Sequence, residues 1–449
     1  MITLDDVRPR IVAPAVSFPS PQMAAASPAV SPTADSFLHV CLYLCALSGF
    51  FVSIQPAPYE GLVILLGFAC LLARARIDRA MMPMIILLTI LQIAGLASAL
   101  PVLDDPDVWN FMGISIYLAL TTPVFAAIMT QDTMRRFETY RKAVVFSAVI
   151  ASLLGMIGYF QLIPQYEIFM MNSRAVSTFK DPNGFGPFLV PPLLLTLERF
   201  MRGSVRPLNL IACIIIAVGL LLSFSRGAWG NFVLSFSIML TLMFMTAAER
   251  ADRKRIFMFV LASVVAVAAL FAVLYSIESV RDMLLQRAKL VQEYDTGTSG
   301  ARFNIQEQAI AEILQNPNGM GGWVFGRIYG LVPHNSYLGA FLNHGWIGGL
   351  AYIGLVLTTL IAGFQCALDR TPWQTILIAL YASYVGLAAE SFIVDTDHGR
   401  LYYQLIGVIW GLIAATLIRR RLENHTYRKL SAPGSRQSEH DSERAQLGF

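Results

Sequence analysis

The chain has 449 residues, of which 56% are hydrophobic and only 14% charged, with 33 Lys and Arg against 29 Asp and Glu for a net charge of +4. So little polar surface cannot cover a soluble fold of this size, which excludes an ordinary globular protein and calls for a bilayer. The bases are scattered over short loops and form no stripe, which argues against nucleic acid as a partner.

Residues 1–35 are rich in Pro, Ala and Ser, lack an apolar block, and read as a disordered cytoplasmic tail. A hydrocarbon core ~30 Å thick takes about 20 apolar residues per helix. Twelve blocks of that kind follow, at 37–54, 60–73, 83–101, 110–130, 143–161, 185–201, 207–224, 229–248, 256–275, 336–363, 373–394 and 401–418. The expectation is an all-α integral membrane protein of about 12 transmembrane helices. Helices one to nine occupy 36–275, a long external loop 276–335, helices ten to twelve 336–418, and a cytoplasmic tail 419–449. Cys41, Cys45, Cys70, Cys213 and Cys366 fall in the spans or at their cytoplasmic ends, so neither a disulfide framework nor a metal site is expected.

Orientation follows from the bases, because loops rich in Arg and Lys stay in the cytoplasm. Arg74, Arg76 and Arg79 follow span two, Arg135, Arg136, Arg141 and Lys142 span four, and Arg202 and Arg206 span six. Arg250, Arg253, Lys254 and Arg255 follow span eight, Arg370 span ten, and Arg419, Arg420 and Arg421 span twelve. Both termini are therefore expected in the cytoplasm. On the other face, Gln55 to Tyr59 carries no base and Pro101 to Asp107 is acidic. Three external segments break the rule by carrying arginine: Met171 to Gly186, the turn Ser223 to Gly230, and the stretch from Ser276 to Ser336.

In the long loop, Ile277, Val280, Met283, Leu284 and Val291 recur near helical spacing, which predicts a helix on the membrane surface. A second short helix is expected from about Ala301 to Leu314, ended by the breaker run Asn316 to Gly322.

Arg302 follows Ser299, a residue suited to capping, and falls in the first turn of that second helix. A cation there is disfavoured by the helix dipole unless an anion arrives, so guanidinium and free amides together suit a phosphate. Pairing with Glu293, Asp295 or Glu307 is the alternative. Arg226, flanked by Ser225 and Gly227 at the membrane boundary, suits the headgroup of a lipid diphosphate, or else snorkels beside Trp229. Arg174 and Lys180 lead into a span carrying Pro187, Pro191 and Pro192, a pattern that often marks a helix break lining a cavity. His334, in Pro333-His334-Asn335-Ser336-Tyr337-Leu338, is the preferred general base, since an imidazole can take a hydroxyl proton near neutral pH. Asn335 or Tyr337 could orient it. His344 reads as a structural residue within span ten, and His398 as a supporting or solvated one. Arg174, Arg226, Arg302 and His334 are far apart in sequence yet all map to one face. Cations plus one neutral base fit attack of a hydroxyl on a sugar carbon that carries a diphosphate leaving group.

These pieces resemble the superfamily of O-antigen ligases and Wzy-type polymerases. The resemblance rests on Ser225-Arg226-Gly227, the Ser299 to Arg302 approach, Asn318 to Gly322, and above all Pro333 to Leu338 followed by Gly345-Trp346-Ile347-Gly348-Gly349-Leu350. It implies a GT-C-like, metal-independent inverting glycosyltransferase without a cofactor, in the bacterial inner membrane with a periplasmic active face. The donor would be an undecaprenyl-diphosphate-linked glycan and the acceptor a second glycan or lipid A-core, for ligation or for polymerisation of O-antigen or exopolysaccharide. It also admits a chain-length regulator as a partner. In the family, arginines matching Arg226 and Arg302 bind diphosphate and the histidine matching His334 activates the acceptor. The chain departs from many relatives at Asn343, where they carry an acid, and at Gln306, where they carry tryptophan. A transporter or flippase of lipid-linked saccharides is the competing class. It would call for ionisable residues near the midplane, and this sequence has few.

Overall fold

The structure, a computed structural model, describes residues 31–53, 57–203, 206–288 and 302–430. Among the described residues nine α-helices precede the long loop: α1 (Pro32–Leu47), α2 (Pro58–Leu72), α3 (Met82–Ala99), α4 (Pro106–Met129), α5 (Thr133–Tyr159), α6 (Pro182–Met201), α7 (Pro207–Leu222), α8 (Arg226–Thr246) and α9 (Arg250–Tyr275). The loop region holds α10 (Glu278–Ala288), α11 (Arg302–Gln315) and α12 (Val324–Tyr329), and the chain returns through α13 (Ser336–Ala367), α14 (Gln374–Glu390) and α15 (Arg400–Leu430). The residues expected to form the tail ahead of α1 lie outside the described residues, except that α1 already begins at Pro32. The helix starts are written locally. Proline occupies the first turn of α1, α2, α3, α4, α6 and α7, and Ser31, Asp105 and Asp181 accept hydrogen bonds from the first free amides of α1, α4 and α6.

Every apolar block of the sequence coincides with a helix. Eight helices among the described residues are long and apolar enough to cross a membrane, and α2 and α7 are apolar but shorter. The centre is α14, buried without interruption from Ile376 to Tyr384, with α6 and α15 around it. α9 is the opposite case, its Val264, Val265 and Val267 exposed as a lipid-facing helix would have them. Close packing uses small residues: a Cβ at Gly407 would stand 2.6 Å from the Thr122 carbonyl oxygen, and one at Gly411 2.5 Å from Met129 Cβ, so α15 lies directly on α4.

Polar contacts separate the two ends of the bundle. At one end the expected arginines meet carboxylates: Arg135 with Asp35, Arg199 with Glu138, Arg420 with Asp369 and Arg421 with Asp78. At the other end Arg400 joins Glu60 and the Phe51 carbonyl, Arg327 joins Asp105, and Thr178 reaches the Phe50 carbonyl. The alternation read from the bases is thus carried into the packing.

One span differs from its expected form. α13 is not continuous, because Gly345 takes φ +68° and ψ −173° and breaks it. The breaker run between α11 and α12 fills the gap. Met320 N–H donates to the Leu342 carbonyl at 2.7 Å, Trp346 N–H donates to the Pro317 carbonyl at 2.9 Å, and Gly321 N–H donates to Ser98 Oγ of α3 at 2.9 Å. Backbone groups released by the break are satisfied by an inserted loop, the condition under which irregular backbone is tolerated at depth.

Candidate functional site

The turn between α7 and α8 is shorter than the sequence suggested, and Arg226 is already the first residue of α8. Ser225 caps that helix by accepting from Ala228 N–H at 3.4 Å, so a half-buried guanidinium stands at a helix N-terminus. Arg174 comes to the same place. It lies in a short hairpin of β1 (Met170–Met171) and β2 (Arg174–Ala175), and its Nε donates to the Ser223 carbonyl at 2.9 Å while Nη2 donates to Asn183 Oδ1 at 3.2 Å. Ser225 Oγ donates to that same amide oxygen at 3.0 Å. The N-terminus of α6, the α7–α8 turn and two guanidiniums therefore share one locus. Lys180 is exposed on the loop leading to it.

His334 sits at the mouth of α13 with a left-handed backbone, φ +47°. Its Nδ1 lies 2.9 Å from Asp395 Oδ2, and both side chains reach solvent. The residues expected to orient it are engaged elsewhere. Asn335 caps α13, accepting from Tyr337 and Leu338 N–H at 3.0 and 3.1 Å, and the Tyr337 hydroxyl donates to the Ala388 carbonyl at 2.8 Å. Asp395 does the orienting instead. Sequence reasoning passed over it, although the polar run Asp395-Thr396-Asp397-His398 stands at the same end of the bundle. The two sides of this pair are tied tightly: Ser336 N–H donates to the Ser391 carbonyl at 2.9 Å and Thr396 N–H to Ser336 Oγ at 2.7 Å.

Two further contacts connect the pieces. Glu390, at the end of α14, is buried and accepts from Asn231 Nδ2 at 2.7 Å, and a Cβ at Gly227 would stand 2.9 Å from its Oε1. The helix that carries Arg226 therefore abuts the segment that leads to Asp395. Gln306 Nε2 donates to the Pro333 carbonyl at 3.1 Å, which pins α11 to the His334 turn. Arg302 opens α11 four residues earlier, and its side chain, like Ser299, Glu293 and Asp295, lies outside the described residues. Residues four apart share a helix face, so Arg302 is placed on the face that meets the His334 turn.

His344 and His398 lie deeper than His334. His344 is buried against Gly95 and Phe111, and its Nδ1 has no partner among the described residues. His398 stacks on Phe111 with ring centroids 4.1 Å apart and approaches Asp397 and Ser115 at 3.8 and 3.4 Å. Burial pushes the Asp397 carboxyl up, but the hydrogen bond and charge of His398 outweigh it and hold the group below the usual carboxylate range.

Residues 211–353 match the family model described as O-antigen ligase. Over that stretch the chain is similar to the O-antigen ligase family. That stretch takes in Arg226, Arg302 and His334, while Arg174 and Lys180 precede it and Asp395 follows it. The family consists of membrane enzymes of glycan transfer that act on lipid-linked glycans in bacteria. No curated protein matches the chain.

Proposed function

We propose that the protein transfers a glycan from an undecaprenyl-diphosphate-linked donor to an acceptor hydroxyl at the periplasmic face, as an O-antigen ligase or as a polymerase of O-antigen or exopolysaccharide, on a GT-C-like scaffold. The observation that carries this reading is the His334–Asp395 contact at 2.9 Å. With Nδ1 donating to the carboxylate, a neutral imidazole keeps its lone pair on Nε2, the arrangement that orients a general base. The acceptor O–H proton passes to Nε2 as its oxygen attacks the anomeric carbon. The C–O bond to the diphosphate breaks, and its electron pair leaves on the phosphate oxygen, with inversion at carbon.

Arg226, Arg174 and Arg302 are the groups assigned to the diphosphate, with Lys180 at the approach. Guanidiniums at the α8 N-terminus supply the charge neutralisation that makes diphosphate a good leaving group, so the scheme needs no metal. Gln306, which donates to the Pro333 carbonyl beside His334, borders the acceptor side.

The test compares wild type with His334→Ala, Arg226→Ala and Arg302→Ala in a host lacking the gene, at equal membrane abundance. Loss of long surface polysaccharide with accumulation of lipid-linked donor is expected, and the length of the accumulated glycan separates ligation from polymerisation. Unchanged polysaccharide in all three would overturn the assignment.

A further inference from the structure

At the arginine-rich end, opposite the candidate site, two cavities adjoin and share Arg141 and Arg199. The first, about 310 Å³, is lined by Arg141, Arg199, Arg202 and Arg206 against the carboxylates of Glu138 and Glu198. Four guanidiniums face two carboxylates. Glu138 is taken by Arg141 and Arg199, Glu198 by Arg202 and by the Thr375 hydroxyl, and Arg206 meets no carboxylate among the described residues. Arg206 also precedes the first turn of α7, which holds no acidic residue to oppose its dipole.

The second cavity, about 430 Å³, is apolar. Val145, Phe146 and Val149 of α5 face Leu208, Ile211 and Ile215 of α7, both sets at helical spacing. From Lys142 to Val149 the groove runs about 10 Å down α5. Two donors at its upper rim have no acceptor among the described residues: Arg141 Nε, on a side chain only 5% exposed, and Asn209 Nδ2. Buried donors are normally paired, so these two point to a missing acceptor.

We propose that this groove holds one anionic phospholipid from the adjoining leaflet. Its phosphate sits in the arginine basin, its glycerol ester oxygens accept from Arg141 Nε and Asn209 Nδ2, and one acyl chain lies between α5 and α7. The excess of positive charge selects an anionic over a zwitterionic headgroup. The apolar groove below it selects a lipid over free phosphate. The site is independent of the proposed transfer reaction, which uses the other end of the bundle.

The test takes the full-length protein in detergent, delipidated, with dioleoyl phosphatidylglycerol, dioleoyl phosphatidylcholine, undecaprenyl diphosphate or inorganic phosphate in separate arms, read by native mass spectrometry and by thermal melting. Retention of phosphatidylglycerol with a rise in Tm is expected, without comparable effects from the other three. An Arg202→Gln/Arg206→Gln variant, altered only at exposed side chains, should lose about tenfold in phosphatidylglycerol retention. Val149→Trp should block the groove while leaving the basin charge intact. Equal retention of the two phospholipids, preference for undecaprenyl diphosphate, the same stabilisation by phosphate alone, or undiminished retention in both variants would overturn the proposal.

Discussion

Replacing Gly345 by alanine tests how the external loop is held. At φ +68° and ψ −173° the backbone is in a region essentially open to glycine alone, so any other residue costs about 1–3 kcal/mol. The added Cβ would stand 2.6 Å from the Asn318 carbonyl carbon and 2.7 Å from the carbonyl oxygens of Pro317 and Asn318. These are backbone atoms that cannot swing aside. Relief requires the inserted loop to withdraw, which breaks the Trp346-to-Pro317 and Met320-to-Leu342 hydrogen bonds. Buried backbone groups left unpaired cost roughly 1–3 kcal/mol each. The sum is about 3–9 kcal/mol, enough to undock the loop against the marginal stability of folded proteins. Hydrogen exchange in nanodiscs should show peptides from Ile313 to Pro333 losing protection, with lower transfer activity at equal abundance. Gly113→Ala is the control, since nothing lies within 4 Å of its added methyl. Unchanged exchange over the loop in Gly345→Ala would refute the docking argument.

Asp395→Asn should lower kcat more than it raises KM, because it releases the imidazole without removing it, whereas His334→Ala should cost about 10²–10⁴-fold in rate; single-turnover assays with lipid-linked donor separate the two. Asn231→Leu takes away the donor to the buried Glu390 carboxyl, and a loss of roughly 1–3 kcal/mol is expected as a lower melting temperature in detergent. For Asp397, whose folded pKa is depressed, linkage gives a contribution that is complete above the ordinary carboxylate pKa and lost as the pH falls through the lowered one. Melting temperature should therefore fall with acidification through that window, and Asp397→Asn should flatten the dependence. Equal slopes in the two proteins would show that another group dominates.

Hydropathy made the helices legible because a bilayer demands uniformly apolar blocks, and the arginine alternation made the two ends legible because it reflects which loops stay behind. Arg226 stood out in the sequence as an arginine in a serine-flanked turn on the face otherwise poor in bases, whereas the Ser225 cap and the close approach of Gly227 to Glu390 are tertiary facts. The His334 partner was harder to see. Asp395 is 61 residues away, and the nearer polar neighbours, Asn335 and Tyr337, have side chains able to hydrogen-bond. What excluded them is tertiary: Asn335 is consumed by the free amides of its own helix, and Tyr337 by a carbonyl on α14. The break at Gly345 was likewise hidden, because a run of apolar residues and glycines reads as a continuous span when the loop that inserts into it lies earlier in the chain.

That break and the histidine belong to one mechanical unit. The first half of α13, from Ser336 to His344, is held at both ends: the Asn335 cap and the Ser336 contacts to Ser391 and Thr396 fix its start, and the inserted Pro317–Met320 segment fixes its end. The inserted segment follows directly on α11, whose Gln306 grips the Pro333 carbonyl beside the histidine. α11 is thus fastened at both the break and the histidine turn. A glutamine at 306 achieves this with one hydrogen bond.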